Sequence, residues 1–420
     1  MPCAATGHEG RGPVALVGGQ ALLSYAPPSL DWVTMRQRAA SLLRAGALAA
    51  VAMLLSGCTL SAALRHDEVR SVWGPGRVLS PQMVFFATDR APRGAGFGES
   101  WGGMARCGRT LVPIANAVSP AAPDPSLEAI ACDGPTAMVA FAGQVATAAR
   151  ARGCNKVLLI AQGFNLTFRI ALLHGAQVAM DAQWPCAVVV FDWSSEGRFD
   201  RYTADVERSG YSEPVLIGLL QALQTAGLET DMLAHSVGAR IAMAAVGAVC
   251  SKPEPVVGEM ILAAADIGAE PGNDDFGQML KRDAPCTRRI TIYASDNDLA
   301  LMVSRGIHGG IDRAGQTPLA DMQYRSPQIE VIDASLAPSD LSGHAYFIFS
   351  YEMLTDIMWT LDAASVGERA AKGGLVCADW SGGTCVAGTG RYTLKIAPDR
   401  QPDLSQRLLK QVTPILLPLQ

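Results

Sequence analysis

Residues 230–240 read Thr-Asp-Met-Leu-Ala-His-Ser-Val-Gly-Ala-Arg, with an apolar run entering Ser236 and a small-residue run leaving it through position 249. This is the sequence form of a buried strand that turns sharply into a helix. On such a turn a serine is held with its hydroxyl above the sheet, and the residues two before and two after it must be small. Here they are Ala234 and Gly238. Ser236 is therefore a candidate nucleophile, and its plain alternative is an N-capping serine in a core turn.

The pattern needs its surroundings. Gly98-Glu99-Ser100-Trp101-Gly102 has glycine at both flanks, and Ala363-Ala364-Ser365-Val366-Gly367 fits a relaxed form equally well. Ser100 is expected in a glycine-rich loop over 89–125 with no strand leading in. Ser365 follows a long helical pattern with no histidine after it. Only Ser236 has the strand before, the helix after and candidate partners downstream.

Around that turn, apolar runs and helical periods alternate. Strands are expected at 83–88, 156–161, 187–191, 256–264, 289–294 and 328–332, with a short one near 110–114. Helices are expected at 135–152, 166–183, 202–226, 276–282, 298–305 and 346–361. The strands are continuous Val, Ile, Leu and Ala rather than alternating, which means burial on both faces. The expected fold class is α/β, a mostly parallel sheet with helices on both faces. The main domain is expected over 81–362, followed by a tail over 363–420 with a hairpin stapled by Cys377 and Cys385.

The chain has 420 residues, 49% hydrophobic and 17% charged, which is ample for a large core. Its net charge of -5 becomes -7 without residues 1–57, so no electrostatic footprint for nucleic acid is present. Arg36, Arg38 and Arg44 precede an uncharged stretch that ends in Leu55-Ser56-Gly57-Cys58. A basic head, a short apolar run and a small-residue end describe a secretory signal. The last four residues resemble the lipobox of bacterial lipoproteins, whose cysteine is acylated and becomes the mature N-terminus. Residues 1–57 are accordingly expected as an upstream extension and signal, with the signal starting near Met35, and 58–80 as a tether. Thr59, rather than Asp, resembles lipoproteins sent to the outer membrane, which places the chain at its periplasmic face.

An exported chain meets an oxidising compartment, and the eight cysteines after Cys58 suggest disulfides. Cys377 with Cys385 is the firmest pair, and Cys107 with Cys132 and Cys250 with Cys286 follow from proximity. No CxxC or clustered His/Cys spacing argues for zinc.

A serine hydroxyl becomes a nucleophile when a histidine takes its proton and a carboxylate fixes that histidine. Only His308 and His344 follow Ser236. His344 sits in a loop between the last expected strand and helix, at the sheet edge where such folds place catalysis, whereas His308 follows a helix. For the carboxylate, Asp298 and Asp296 follow a strand in the chain order Ser, Asp, His. Asp298 also opens a helix and could be a simple cap. Asp266 is the next choice. The oxyanion would need the backbone N–H of Val237 and one from Gln162-Gly163-Phe164-Asn165, supplied by Phe164. No cofactor or metal is implied.

Several motifs in order carry a resemblance. They are the Thr-Asp-Arg ending at Arg90, Gly163-Phe164-Asn165, Asp192-Trp193-Ser194-Ser195-Glu196-Gly197 with Tyr202 and Asp205, residues 234–240, residues 293–301 and Gly343-His344. Together they resemble a bacterial α/β-hydrolase family of unknown function, esterase/lipase-like and DUF900-type, with many lipoprotein members. The similarity runs over about 82–361 and implies a Ser236, Asp298, His344 triad. Two departures stand out: Gln162 where the family usually has histidine, and Ser194 where it usually has proline.

The expectation is a lipid-anchored serine hydrolase acting on carboxylic esters, with a small ester or lipid-like substrate. The other readings are a non-catalytic envelope lipoprotein that keeps the fold as a scaffold, motivated by Gln162, and an amidase or peptidase, since the same triad serves both leaving groups.

Overall fold

The computed structural model describes residues 81–113, 126–252, 254–269, 275–316, 326–340, 342–377 and 391–401. Cys58 with its signal and tether, and Cys385, lie outside them.

One sheet of 11 strands organises the described residues. In chain order the strands are β1 (Gln82–Arg93), β2 (Gly96–Val112), β3 (Leu127–Ile130), β4 (Lys156–Ala161), β5 (Ala187–Asp192), β6 (Glu229–His235), β7 (Val257–Ala263), β8 (Thr287–Ala294), β9 (Ile329–Asp333), β10 (Leu375–Cys377) and β11 (Arg391–Leu394). Across the sheet they lie in the order β10-β11-β9-β8-β7-β6-β4-β5-β1-β2-β3. From β11 to β1 every neighbouring pair is parallel, and β2, β3 and β10 are antiparallel additions at the edges.

Period-2 alternation splits the apolar strands between two cores. Val157, Leu159 and Ala161 of β4 pack with the helices α1 (Pro135–Ala151), α4 (Glu213–Thr225) and α5 (Val237–Val249). Leu158 and Ile160 pack with α2 (Phe168–Asp181) and α9 (Tyr351–Leu361) on the other face. The α1 helix shows why its sequence suits this role. Met138, Phe141, Ala142, Val145, Ala146 and Ala149 recur at helical spacing and are all buried, and each large side chain removed from water contributes about 1.5–3 kcal/mol.

Some expectations are corrected. The expected loop over 89–125 is largely a β-hairpin, because β1 continues to Arg93 and pairs antiparallel with β2 from Arg93↔Gly96 to Gln82↔Val112. Its glycines read as loop, but they accompany register shifts in the pairing, a usual place for glycine inside a strand. Ser100 thus lies within a strand, with no strand-to-helix turn. The helix expected over 202–226 is two, α3 (Tyr202–Ser209) and α4, because Pro214 fits only a first helical turn. The one expected over 346–361 breaks at Ser350, whose extended backbone and side chain cap α9 after the short α8 (Tyr346–Phe349).

Within the span of the expected tail, β10 and β11 join the sheet, β11 pairing in parallel with β9. Arg369 of α10 (Val366–Ala371), fully buried, donates to Glu330 of β9 at 2.6 Å and pins this segment down. Ser365 caps that helix in a reciprocal box with Glu368, which accounts for its sequence context. Cys107–Cys132 and Cys250–Cys286 are bonded, as is Cys154–Cys186. Cys377 is also disulfide-bonded.

Candidate active site

The parallel strands deliver their carboxyl ends to one edge, and the sequence-predicted residues gather there. Leu233 and Ala234 lead from the middle of the sheet into Ser236, the residue between β6 and α5. Its backbone has φ 54 and ψ -126, a region that costs a non-glycine residue about 1–3 kcal/mol. Three bonds over-determine it. Ser236 N–H donates to Ala263 O at 3.0 Å, and Ser236 O accepts from Ala239 and Asp266, each at 3.1 Å.

Small neighbours are required by contact. A Cβ on Gly238 would lie 2.4 Å from Gln162 O and 2.6 Å from Ala161 O, so α5 can approach β4 only with glycine at that place. The same approach brings the Gln162-Gly163-Phe164 loop against the turn. A Cβ on Gly163 would lie 3.0 Å from Ser236 Cβ. The N–H of Val237, first residue of α5, has no acceptor within its helix. Val237 and the loop at Gly163 therefore meet at Ser236 from two different elements.

Asp298 and His344 meet from the loops after β8 and β9. His344 Nδ1 lies 2.7 Å from Asp298 Oδ2, and the other carboxylate oxygen accepts from Leu301 N–H at 2.9 Å, capping α7 (Leu299–Ile307). Asp298 therefore faces His344 with one oxygen and caps the helix with the other. Burial is the largest influence and opposes the His344 cation, but the adjacent Asp298 carboxylate together with Asp340 and Asp266 outweighs it. The His344 pKa lies above its usual 6.5.

Two of the alternatives, Asp266 and His308, have their side chains hydrogen-bonded to other partners. Asp266 is in a buried ion pair with Arg313 at 2.6 Å and accepts from Ser304 Oγ at 2.7 Å and from the Tyr202 hydroxyl. Burial and the Asp266 carboxylate together keep that phenol protonated. His308 caps the end of α7, with Nδ1 at 2.8 Å from Ser304 O. Asp296 N–H donates to Ser335 Oγ at 2.9 Å.

What the residue patterns alone did not assign is the frame behind these loops. Arg90, at the end of the Thr-Asp-Arg motif, is buried and forks onto Asp192 at 2.5 and 3.2 Å, then reaches Ser195 O at 3.1 Å and Leu166 O at 2.8 Å. Asp205 accepts from Ser195 Oγ at 3.0 Å and Glu196 N–H at 2.8 Å. Trp193 Nε1–H donates to Gln162 O at 2.8 Å. These motifs therefore sew the carboxyl ends of β1, β4 and β5 into one platform. A buried arginine following Thr-Asp was the available signal. Gln162 belongs to this platform as well, its side chain fully buried and its Nε2 donating to Ala171 O of α2 at 3.2 Å.

The model of one protein family, described as alpha/beta hydrolase of unknown function (DUF900), matches residues 139–359. That span runs from α1 to the last turn of α9 and includes Ser236, Asp298 and His344. No curated protein and no solved structure matches the chain.

Proposed function

The chain belongs to the alpha/beta hydrolases of unknown function (DUF900), and from that premise we propose that it is a serine hydrolase cleaving carboxylic esters through a Ser236, His344, Asp298 triad. The observation that carries the proposal is the His344 Nδ1–Asp298 Oδ2 contact of 2.7 Å at the sheet edge where the strained Ser236 turn also emerges. Strain at a non-glycine residue persists where surrounding structure enforces it, and such positions cluster at working sites.

In this reading Ser236 Oγ attacks the ester carbonyl carbon as its proton passes to His344. Asp298 holds the imidazole in the required tautomer and stabilises the cation. The carbonyl oxygen becomes an oxyanion and accepts from the N–H groups of Phe164 and Val237. Collapse expels the alcohol, which takes the proton from His344. Water then attacks the acyl-enzyme with His344 again as base, and the acid leaves as Ser236 regains its proton. The proposal extends to an acyl anchor on Cys58 at the periplasmic face of the envelope.

A non-catalytic scaffold remains the contrasting reading, and Gln162 is what motivates it. Its side-chain amide is engaged with Ala171 O, which leaves the main-chain donor of Phe164 as the group on which the question turns. A broad ester panel together with a fluorophosphonate probe tests the proposal. Turnover and labelling lost in Ser236→Ala support it, and a folded protein that neither turns over nor labels contradicts it. Matched ester and amide substrates separate an esterase from an amidase. Metabolic labelling with an alkyne fatty acid, lost in Cys58→Ser, tests the anchor.

A further inference from the structure

Two side chains outside the triad grip the backbone of His344 from opposite sides. On one side Asp340 Oδ1 accepts the N–H of His344 and that of Ala345, each at 2.9 Å. Its Oδ2 accepts Ser342 N–H at 2.7 Å and the Ser342 hydroxyl. On the other side His235 Nε2 lies 3.2 Å from His344 O. A carbonyl can only accept, so His235 is the donor through Nε2–H.

The His235 ring is held firmly enough to act in this way. It is 6% exposed, stacks on Phe347 at 4.4 Å and lies 4.6 Å from the His344 ring, between the base and the helix that follows it. It is also the residue immediately before Ser236, and a Cβ on Gly163 would fall 2.6 Å from its Nδ1. The nucleophile turn, the oxyanion loop and the base-bearing loop therefore meet at one imidazole. The base and acid loops are joined directly as well, Leu299 N–H donating to Ser342 O at 2.8 Å.

We propose that His235 and Asp340 are positioning residues forming a two-sided backbone clamp that fixes where the His344 imidazole stands relative to Ser236 and Asp298. The proposal rests on the triad reading for its kinetic consequence, although the clamp itself exists without it. A side-chain carboxylate that accepts from three backbone N–H groups and one hydroxyl of the same loop holds that loop rigid, and small displacements of a base from its reaction geometry lower rates by about 100-fold per ångström.

The test uses the whole protein with Asp340→Ala, Asp340→Asn, His235→Leu and His235→Gln, each checked for folding by circular dichroism and melting. Two readouts are taken: kcat and KM on the best ester of a panel, and the far-downfield proton resonance of His344 Nδ1–H against Asp298. Asp340→Ala and His235→Leu should lower kcat about 10- to 100-fold with KM little changed, and should weaken or shift the resonance. Gln, which keeps a terminal N–H donor, should recover most of the loss at position 235. Folded variants with wild-type kcat and an unmoved resonance would overturn the clamp, as would a folded wild type lacking the resonance. A resonance that responds in a wild-type protein that neither turns over esters nor labels leaves the clamp standing and removes the hydrolase reading instead.

Discussion

Asp298 divides its carboxylate between two duties, one oxygen 2.7 Å from His344 Nδ1 and the other 2.9 Å from Leu301 N–H at the start of α7. A helix cap and a histidine partner are usually competing explanations for an aspartate in such a place. Here the cap orients the carboxylate toward the histidine, so the structural role would serve the proposed chemical one.

The two duties can be separated by Asp298→Asn. Asparagine caps helices as well as aspartate does, so melting should shift by less than about 1 kcal/mol worth of stability. It cannot accept from His344 while holding the same tautomer, and kcat should fall by about four orders of magnitude. Equal losses of stability and activity would assign Asp298 to the cap alone.

A pH profile follows from the raised His344 pKa. The base must be neutral to accept the Ser236 proton, so activity is lost as pH falls through that pKa. Because the neighbouring carboxylate raises it above 6.5, the acidic limb of kcat/KM should have its midpoint above 6.5. Removing the carboxylate in Asp298→Asn should move the midpoint of the residual activity downward. A limb well below 6.5 in the wild type would contradict the assignment.

Strain at Ser236 gives a third expectation. Its φ of 54 suits glycine better than serine, so Ser236→Gly should be more stable than wild type by about 1 kcal/mol while inactive. Chemical denaturation checks the sign, and a destabilised glycine variant would show that the turn is not strained.

The platform behind the loops rests on the buried Arg90–Asp192 pair. Removing one partner leaves an uncompensated buried charge, so Arg90→Met or Asp192→Asn should each cost about 3–5 kcal/mol. Activity per folded molecule should also drop, because Arg90 ties Ser195 and Leu166, the latter directly following the Gln162-Gly163-Phe164-Asn165 loop proposed to hold the oxyanion. A double-mutant cycle in urea measures the coupling.

How much of this was legible beforehand depended on where the signal was local. The strand entering Ser236 and the helix leaving it were readable because apolar runs and small-residue spacing are properties of neighbouring positions. Position after a strand, together with chain order, favoured Asp298 and His344 over Asp296, Asp266 and His308, and the two are in contact. The β1–β2 hairpin was not readable, because its glycines look like loop residues until the partner strand is known. Pro214 and Ser350, which break two long helices, were visible in sequence but outweighed by continuous apolar periodicity. The grip of His235 on His344 could not be read at all, since a side chain to backbone bond across 109 residues leaves no pattern, whereas that of Asp340 is local, four residues from His344, and looks in sequence like any aspartate in a loop.

In the proposed mechanism Ser236 is a nucleophile served by His344. Incubating the folded protein with a fluorophosphonate probe and locating the adduct by peptide mass spectrometry tests it most directly. One adduct is expected, on Ser236, lost in Ser236→Ala and slowed by orders of magnitude in His344→Ala. No adduct on a folded protein, or an adduct at another serine that is indifferent to His344, would contradict it.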